Sequence, residues 1–285
     1  MLLMLLLQSA SPAPIARTTA TFQSRRVTES SGVAVSRAHS GILWTHNDSG
    51  DGPYLYATDL RGTDRGAIRV SGAGSKDWED IAAGPCPTRP GTCLYIGDTG
   101  DNTERRSSVT IYAVPEPDPP IDASDTQRVT AAAAALRLRY PDGAHDVEAL
   151  YVSPRDTAVY LVSKGWGGSV RLYRAGRTAW RTPGVATAEL VQALPISPSR
   201  KQGRVVTGAA MRGDGTLVAI RTYVDVHFFV PDRTGRLAAA NRPVCSVRGL
   251  GRGGEGIAFL DDSILVLTSE ADRIGPGAIH TVRCP

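Results

Sequence analysis

The densest chemistry in this chain is carboxylate, and it falls in two short stretches. They are Lys76-Asp77-Trp78-Glu79-Asp80-Ile81-Ala82 and Gly97-Asp98-Thr99-Gly100-Asp101-Asn102. Carboxylates supply oxygen ligands to hard cations, or serve as general acids and bases. Between the stretches lie a turn rich in Cys and Pro and the apolar run Cys93-Leu94-Tyr95-Ile96. A hairpin of that length returns the chain to its starting level, so both acidic stretches finish at the same end of a sheet.

The elements that would position these acids recur along the chain. Small apolar segments begin at Ser31, Glu79, Glu148, Thr207 and Glu255, at intervals of 48, 69, 59 and 48 residues. Small residues suit the innermost strand of a propeller blade, where sheets crowd around an axis. Each is followed by a more apolar second strand, a third carrying Tyr or Phe in most units, and in four units a fourth at 67–70, 136–140, 189–193 or 244–248. The fifth unit runs out without a fourth strand, and Thr21 to Val27 lies unused before the first. The pattern predicts an all-β, five-bladed β-propeller closed by that N-terminal strand. A six-bladed ring is the alternative, because the insertion Pro115 to Thr130 has room for extra strands and Ala131 to Ala135 has helical propensity.

In such a ring, the start of the inner strand and the end of the second strand share one face. Glu79, Glu148 and Glu255 hold the first position, and Asp48, Asp98 and Asp101 the second; two hairpins share the signature Asp48-Ser49-Gly50-Asp51 and Asp98-Thr99-Gly100-Asp101. So many converging acids repel one another unless a cation compensates, and an all-oxygen set with turn-forming Gly suits Ca2+. These six are the expected metal ligands. As lone loops they would be ordinary turn chemistry. Trp166 in a Gly-rich loop, Lys164, Arg221, His46 and Asn102 are expected on the same face as ligand-binding residues. His145 beside Asp146 is the candidate for a base oriented by a carboxylate. Trp44 and Trp78 read as blade packing.

The net charge of +4 is carried almost wholly by scattered Arg, without the basic stripe that nucleic-acid binding needs. Residues 1–16 read as a secretory signal segment lacking a basic start, which leaves 17–285 as one domain and places the protein in a secreted or cell-envelope setting. No other stretch approaches a membrane span. Four cysteines allow three connectivities. Cys86 and Cys93 flank one tight turn and are expected to pair, leaving Cys245 with Cys284; zinc is disfavoured without a Cys-x-x-Cys spacing. A monomer is expected.

Trp78-Glu79-Asp80-Ile81-Ala82, Gly97-Asp98-Thr99-Gly100-Asp101-Asn102 and Tyr140-Pro141-Asp142-Gly143-Ala144-His145-Asp146-Val147-Glu148 together resemble a family of exported bacterial β-propeller proteins. The resemblance runs from Glu29 onward and implies the fold and export, with no activity attached. A more distant similarity is to calcium-activated apyrases, five-bladed propellers that hydrolyse nucleoside di- and triphosphates around a central Ca2+. Their inner strands also begin with an acid before small residues, as at Glu79, Glu148 and Glu255, whereas Ser31 and Thr207 depart from a full acidic ring. β-Propeller phytases are similar only in using calcium on a propeller face. The expected function is a calcium-binding rim that holds a small anionic molecule, a glycan or a protein. The alternative is a calcium-dependent hydrolase of a phosphorylated or other anionic substrate.

Overall fold

Each recurring unit of the sequence becomes one mainly antiparallel sheet in the computed structural model, which describes residues 15–125 and 127–285. β1 (Ile15–Thr21) is set aside for the last blade. Blade 1 is β2 (Ser30–Val35), β3 (Leu43–Asn47), β4 (Tyr54–Thr58) and β5 (Ala67–Arg69). Blade 2 is β6 (Trp78–Pro85), β7 (Thr92–Asp98), β8 (Val109–Pro115) and β9 (Ala134–Arg139). Blade 3 contains β10 (Val147–Val152), β11 (Val159–Ser163) and β12 (Val170–Ala175). The chain then crosses to blade 2, where β13 (Val185–Thr187) adds a parallel edge to β9, and returns as β14 (Glu189–Leu194) to finish blade 3. Blade 4 is β15 (Val206–Met211), β16 (Val218–Thr222) and β17 (Asp225–Pro231), edged by β18 (Leu237–Ala239) and β19 (Cys245–Ser246). Blade 5 is β20 (Gly254–Phe259), β21 (Ile264–Ser269) and β22 (Ala278–Arg283), completed by β1.

Five blades form, and the long insertion builds no sixth. It runs along the outer edge of blade 1, where Arg69 N donates to Arg128 O (2.9 Å) and Thr130 N to Arg69 O (3.0 Å). The Ala-rich stretch enters β9 because Leu136, Leu138 and Tyr140 alternate into the core, and tertiary burial outweighs helical propensity. Trp44 and Trp78 are fully buried in the cluster between blades 1 and 2. At 150–250 Å2 each, such side chains are worth about 4–6 kcal/mol by area. Their indole N–H groups are satisfied by Glu116 (3.1 Å) and Gly74 O (2.8 Å).

The ring closes through an N-terminal strand, but an earlier one than expected. β1 pairs with β22 from Ile15↔Arg283 to Thr21↔Ala278. It is an outer edge strand, largely exposed, so it carries no buried alternation to read. Phe22, Ser24 and Val27 of the expected strand plug the core, yet its Gln23 N–H goes to Gly62 O rather than to a ladder. Residues 1–14 of the expected signal segment lie outside the described residues. In blade 4 the fourth strand expected at 244–248 is divided: β18 takes most of the edge and β19 only two residues of it. Pro243, lacking an N–H, sits in the break. Both expected disulfides are present, Cys86–Cys93 and Cys245–Cys284, and the second ties blade 4 to the end of blade 5. No helix among the described residues is long and apolar enough to cross a membrane.

Candidate cation site at the mouth of the channel

All five inner strands carry a register shift at the same place. It falls between Ser30 and Gly32, Trp78 and Ile81, Val147 and Ala149, Val206 and Gly208, and Gly254 and Ile257. A β-bulge frees its extra residue from the alternation and re-aims the side chain. The freed positions include Ser31, Glu79, Glu148, Thr207 and Glu255, the residues at which the sequence units begin. Close packing at the axis requires the glycines that follow Ser31, Thr207 and Glu255. A Cβ on Gly32 would lie 2.7 Å from Ile81 N, and one on Gly256 2.9 Å from Gly32 C.

The residues paired with the inner-strand starts are Asn47, Asp98, Ser163, Thr222 and Ser269. The next residue in each blade forms a second ring: Asp48, Thr99, Lys164, Tyr223 and Glu270. The two Asp-x-Gly-Asp signatures are therefore offset by one position. Asp98 is the counterpart of Asn47, not of Asp48, and the two side chains do the same job. Asn47 Oδ1 accepts from Thr28 N and Glu29 N, both at 3.0 Å, and Asp98 accepts from Lys76 N and Asp77 N, both at 3.3 Å. Asp98 is further ion-paired with Arg106 at 2.9 Å. Asp101 accepts from Arg106 N (2.6 Å) and donates its own N–H to Asp146 (2.7 Å). Neither Asp98 nor Asp101 joins the acid groups described next.

Two sets of three acids are compact enough for one ion, with ligand oxygens within 4.8 Å of one another: Asp48, Asp77 and Glu79, and Glu79, Asp146 and Glu148. Two oxygens each 2.3–2.6 Å from one Ca2+ lie at most about 5 Å apart, so the sets fit a calcium ion in size and in donor type. Their members differ in what already satisfies them. Glu255 accepts from Ser31 Oγ (2.9 Å) and Tyr223 OH (3.1 Å). Glu148 accepts from Lys164 Nζ at 2.7 Å, and Asp146 from the Trp166 indole N–H at 2.6 Å. Glu79 is 3% exposed, and among the described residues its carboxylate has no hydrogen-bond or ion-pair partner.

This crowding moves the titrations. Burial, then the neighbouring Asp48 and Asp146, raises Asp77 to about 6. Burial raises Glu255 to about 7 against the opposing Ser31 hydroxyl, and burial with the Glu255 charge takes Glu270 to about 8. Burial, followed by Glu148 and Asp48, pushes Glu79 well above the carboxylate range. For Lys164, burial works against the charge, but Glu148, Asp146 and Glu79 outweigh it and hold the ammonium protonated. Burial likewise pushes its partner Glu148 well above the carboxylate range, with the Lys164 ammonium opposing that shift.

The remaining expected site residues divide between the face and the interior. Trp166 is half-buried, with the Arg200 guanidinium 4.3 Å from its ring, and it lines a 430 Å3 cleft together with Asn102, Thr103 and Ser199. Arg221 is buried below the mouth. Its Nη1 donates to Gly256 O (2.6 Å) and Thr268 O (2.8 Å), bolting blade 4 to blade 5, and burial lowers its pKa to about 10. His46 is fully buried and edge-on to Trp78 at 5.6 Å, and burial holds it neutral with a pKa of about 4. His145 and Asp146 form no dyad. The imidazole stacks on Tyr173 and lies 3.2 Å from Asp142 and 3.7 Å from Glu104, while Asp146 turns to Trp166 and Asp101. Arg106 and Tyr223 are the mouth residues that spacing did not single out. Their positions beside Asp98 and Glu255 depend on contacts between loops and blades.

No family model matches the chain, and no curated protein does either. Among solved structures the chain is similar to Kuenenia stuttgartiensis hydrazine synthase, at 10% identity and a TM-score of 0.43, over 86% of this chain and 77% of that one. It is also similar to a chain of a mitotic checkpoint complex, at 13% identity and a TM-score of 0.41, over 88% of this chain and 60% of that one.

Proposed function

We propose that the mouth binds one divalent cation, calcium by its donor chemistry, on Asp48, Asp77 and Glu79, and that the loaded rim presents a binding surface to a ligand or partner. The observation that carries this reading is Glu79, a buried carboxylate left without a partner between two further acids. A buried carboxylate without a partner must either take up a proton or find a counter-charge, and a cation bound only by the folded ring supplies that charge. The Trp166 cleft opens beside Asp146 and would seat the bound molecule, a small anion or a glycan in size. Two disulfides accord with export to an oxidising compartment. Binding is favoured over calcium-dependent hydrolysis because His145, the expected base, is engaged with Asp142, Glu104 and Tyr173.

Thermal unfolding with calcium and with a chelator tests the reading. At free calcium a hundredfold above its dissociation constant, the gain is about 2.7 kcal/mol, a melting shift on the order of 5 °C. Glu79→Gln should abolish the shift, and Asp232→Asn, on an exposed turn, should leave it intact. Identical melting with calcium and with chelator would return the rim to turn chemistry.

A further inference from the structure

Of the two acid groups, one already holds a positive charge supplied by the chain. Lys164 Nζ lies 2.7 Å from Glu148 Oε1 and 3.9 Å from Asp146 Oδ2, inside the group those acids form with Glu79. The lysine reaches this point because it occupies the second-ring position after β11. There Lys164 N donates to Asp146 O (2.9 Å) and Val206 N to Lys164 O (3.2 Å), fixing the backbone on both sides. Its side chain is 10% exposed and its ammonium lies 5.1 Å from the Trp166 ring, so both stem and head are held. The corresponding residue of blade 1 is Asp48, and among the described residues no Lys or Arg is ion-paired with Asp48, Asp77 or Glu79; Arg106, near Asp77, is ion-paired with Asp98.

We propose that Lys164 is a tethered cation filling the second of two metal positions, so that the native chain takes one divalent ion and loss of the ammonium opens a second on Glu79, Asp146 and Glu148. The inference rests on the cation reading of the mouth and deepens it. The acid cluster alone would not carry it. The second observation is Glu79, nine-tenths buried, unpartnered and common to both groups, while Glu148 beside it is satisfied by the lysine. Lys164 acts here as a point charge of fixed position, a role open to an ammonium and closed to a neutral side chain. With the lysine gone, Glu79 would bridge the two positions, and the mouth would become a two-metal site of the kind that clamps anions between ions.

Calcium titration by calorimetry counts the ions. The native chain and Lys201→Met, an exposed lysine with no ion pair to either acid group, are expected to bind one each, and Lys164→Met two. Terbium is a second probe. Because the Trp166 indole touches Asp146, Lys164→Met should show several-fold stronger tryptophan-sensitised emission, lost again on adding Trp166→Phe. If Lys164→Met folds only in calcium, native mass spectrometry of protein refolded with the ion supplies the count. Two ions on the native chain, or one on both native and Lys164→Met, overturns the inference. None on the native chain but one on Lys164→Met sinks the single-ion reading of Asp48, Asp77 and Glu79 while upholding the blocking role of Lys164. No ion on either removes both.

Discussion

The two ends of the central channel are built from the same five strands, which present polar side chains at one end and apolar ones at the other. At the mouth, the bulged starts of β2, β6, β10, β15 and β20 contribute three glutamates and two hydroxyls. At the far end the same strands contribute Val35, Ala83, Val152, Met211 and Phe259 to a cavity of about 270 Å3, whose lining also includes Arg37, Arg212, Asp261 and Asp262 from the turns that follow. Asp80 is the divider. Its carboxylate accepts N–H groups from Ile81 (2.8 Å), Leu150 (2.9 Å) and Ala209 (3.1 Å), which belong to three different blades. The contrast teaches that a bulge, more than composition, sets the polarity at each level. Above it side chains are released toward the axis, and below it ordinary alternation returns small and apolar residues to the channel.

The largest effect should come from removing the divider. Asp80→Ala leaves three buried N–H groups without an acceptor and is expected to cost about 4 kcal/mol in denaturant unfolding, since each orphaned donor costs about 1–3 kcal/mol. Asp80→Asn, which keeps one acceptor oxygen, should lose less. A cost below about 1 kcal/mol for Asp80→Ala would mean that the blades are not clamped at this point.

A smaller effect should distinguish the mouth by its response to pH. Asp77, Glu255 and Glu270 have folded-state pKa values of about 6, 7 and 8, each above its ordinary value. An acid whose pKa is raised on folding holds its proton more tightly in the native state. Ionising it there costs stability, and the loss begins near the unfolded pKa and is complete above the folded one. Calcium-free protein should therefore melt progressively lower between about pH 4 and pH 8. Saturating calcium should flatten that slope, because the ion relieves the repulsion. A calcium-free melting temperature that rises across this range would contradict the assignment.

The smallest effect belongs to the far end. Met211→Leu conserves the volume of an apolar side chain in the cavity lining and should cost less than about 1.5 kcal/mol, with calcium affinity unchanged. A several-fold change in affinity would show that the two ends communicate past Asp80.

What the sequence determined by itself is local and periodic. The unit starts at Ser31, Glu79, Glu148, Thr207 and Glu255 marked the bulges, because small residues recurring after a polar one reflect crowding at an axis. Blade order, both disulfides and the packing of Trp44 and Trp78 followed from the same reading. Partnership was left to the tertiary structure. Asp48-Ser49-Gly50-Asp51 and Asp98-Thr99-Gly100-Asp101 are alike as strings, yet a one-residue offset in strand pairing sends Asp48 to the mouth and Asp98 to Arg106. Glu79, Glu148 and Glu255 are equivalent in sequence, but among the described residues one has no partner, one is paired with Lys164 and one with Ser31, 224 residues away. β1 and β13 gave little signal because exposed edge strands need no buried alternation. A side chain's periodicity is set by its own strand, whereas its counter-charge comes from whichever blade the closed ring brings against it.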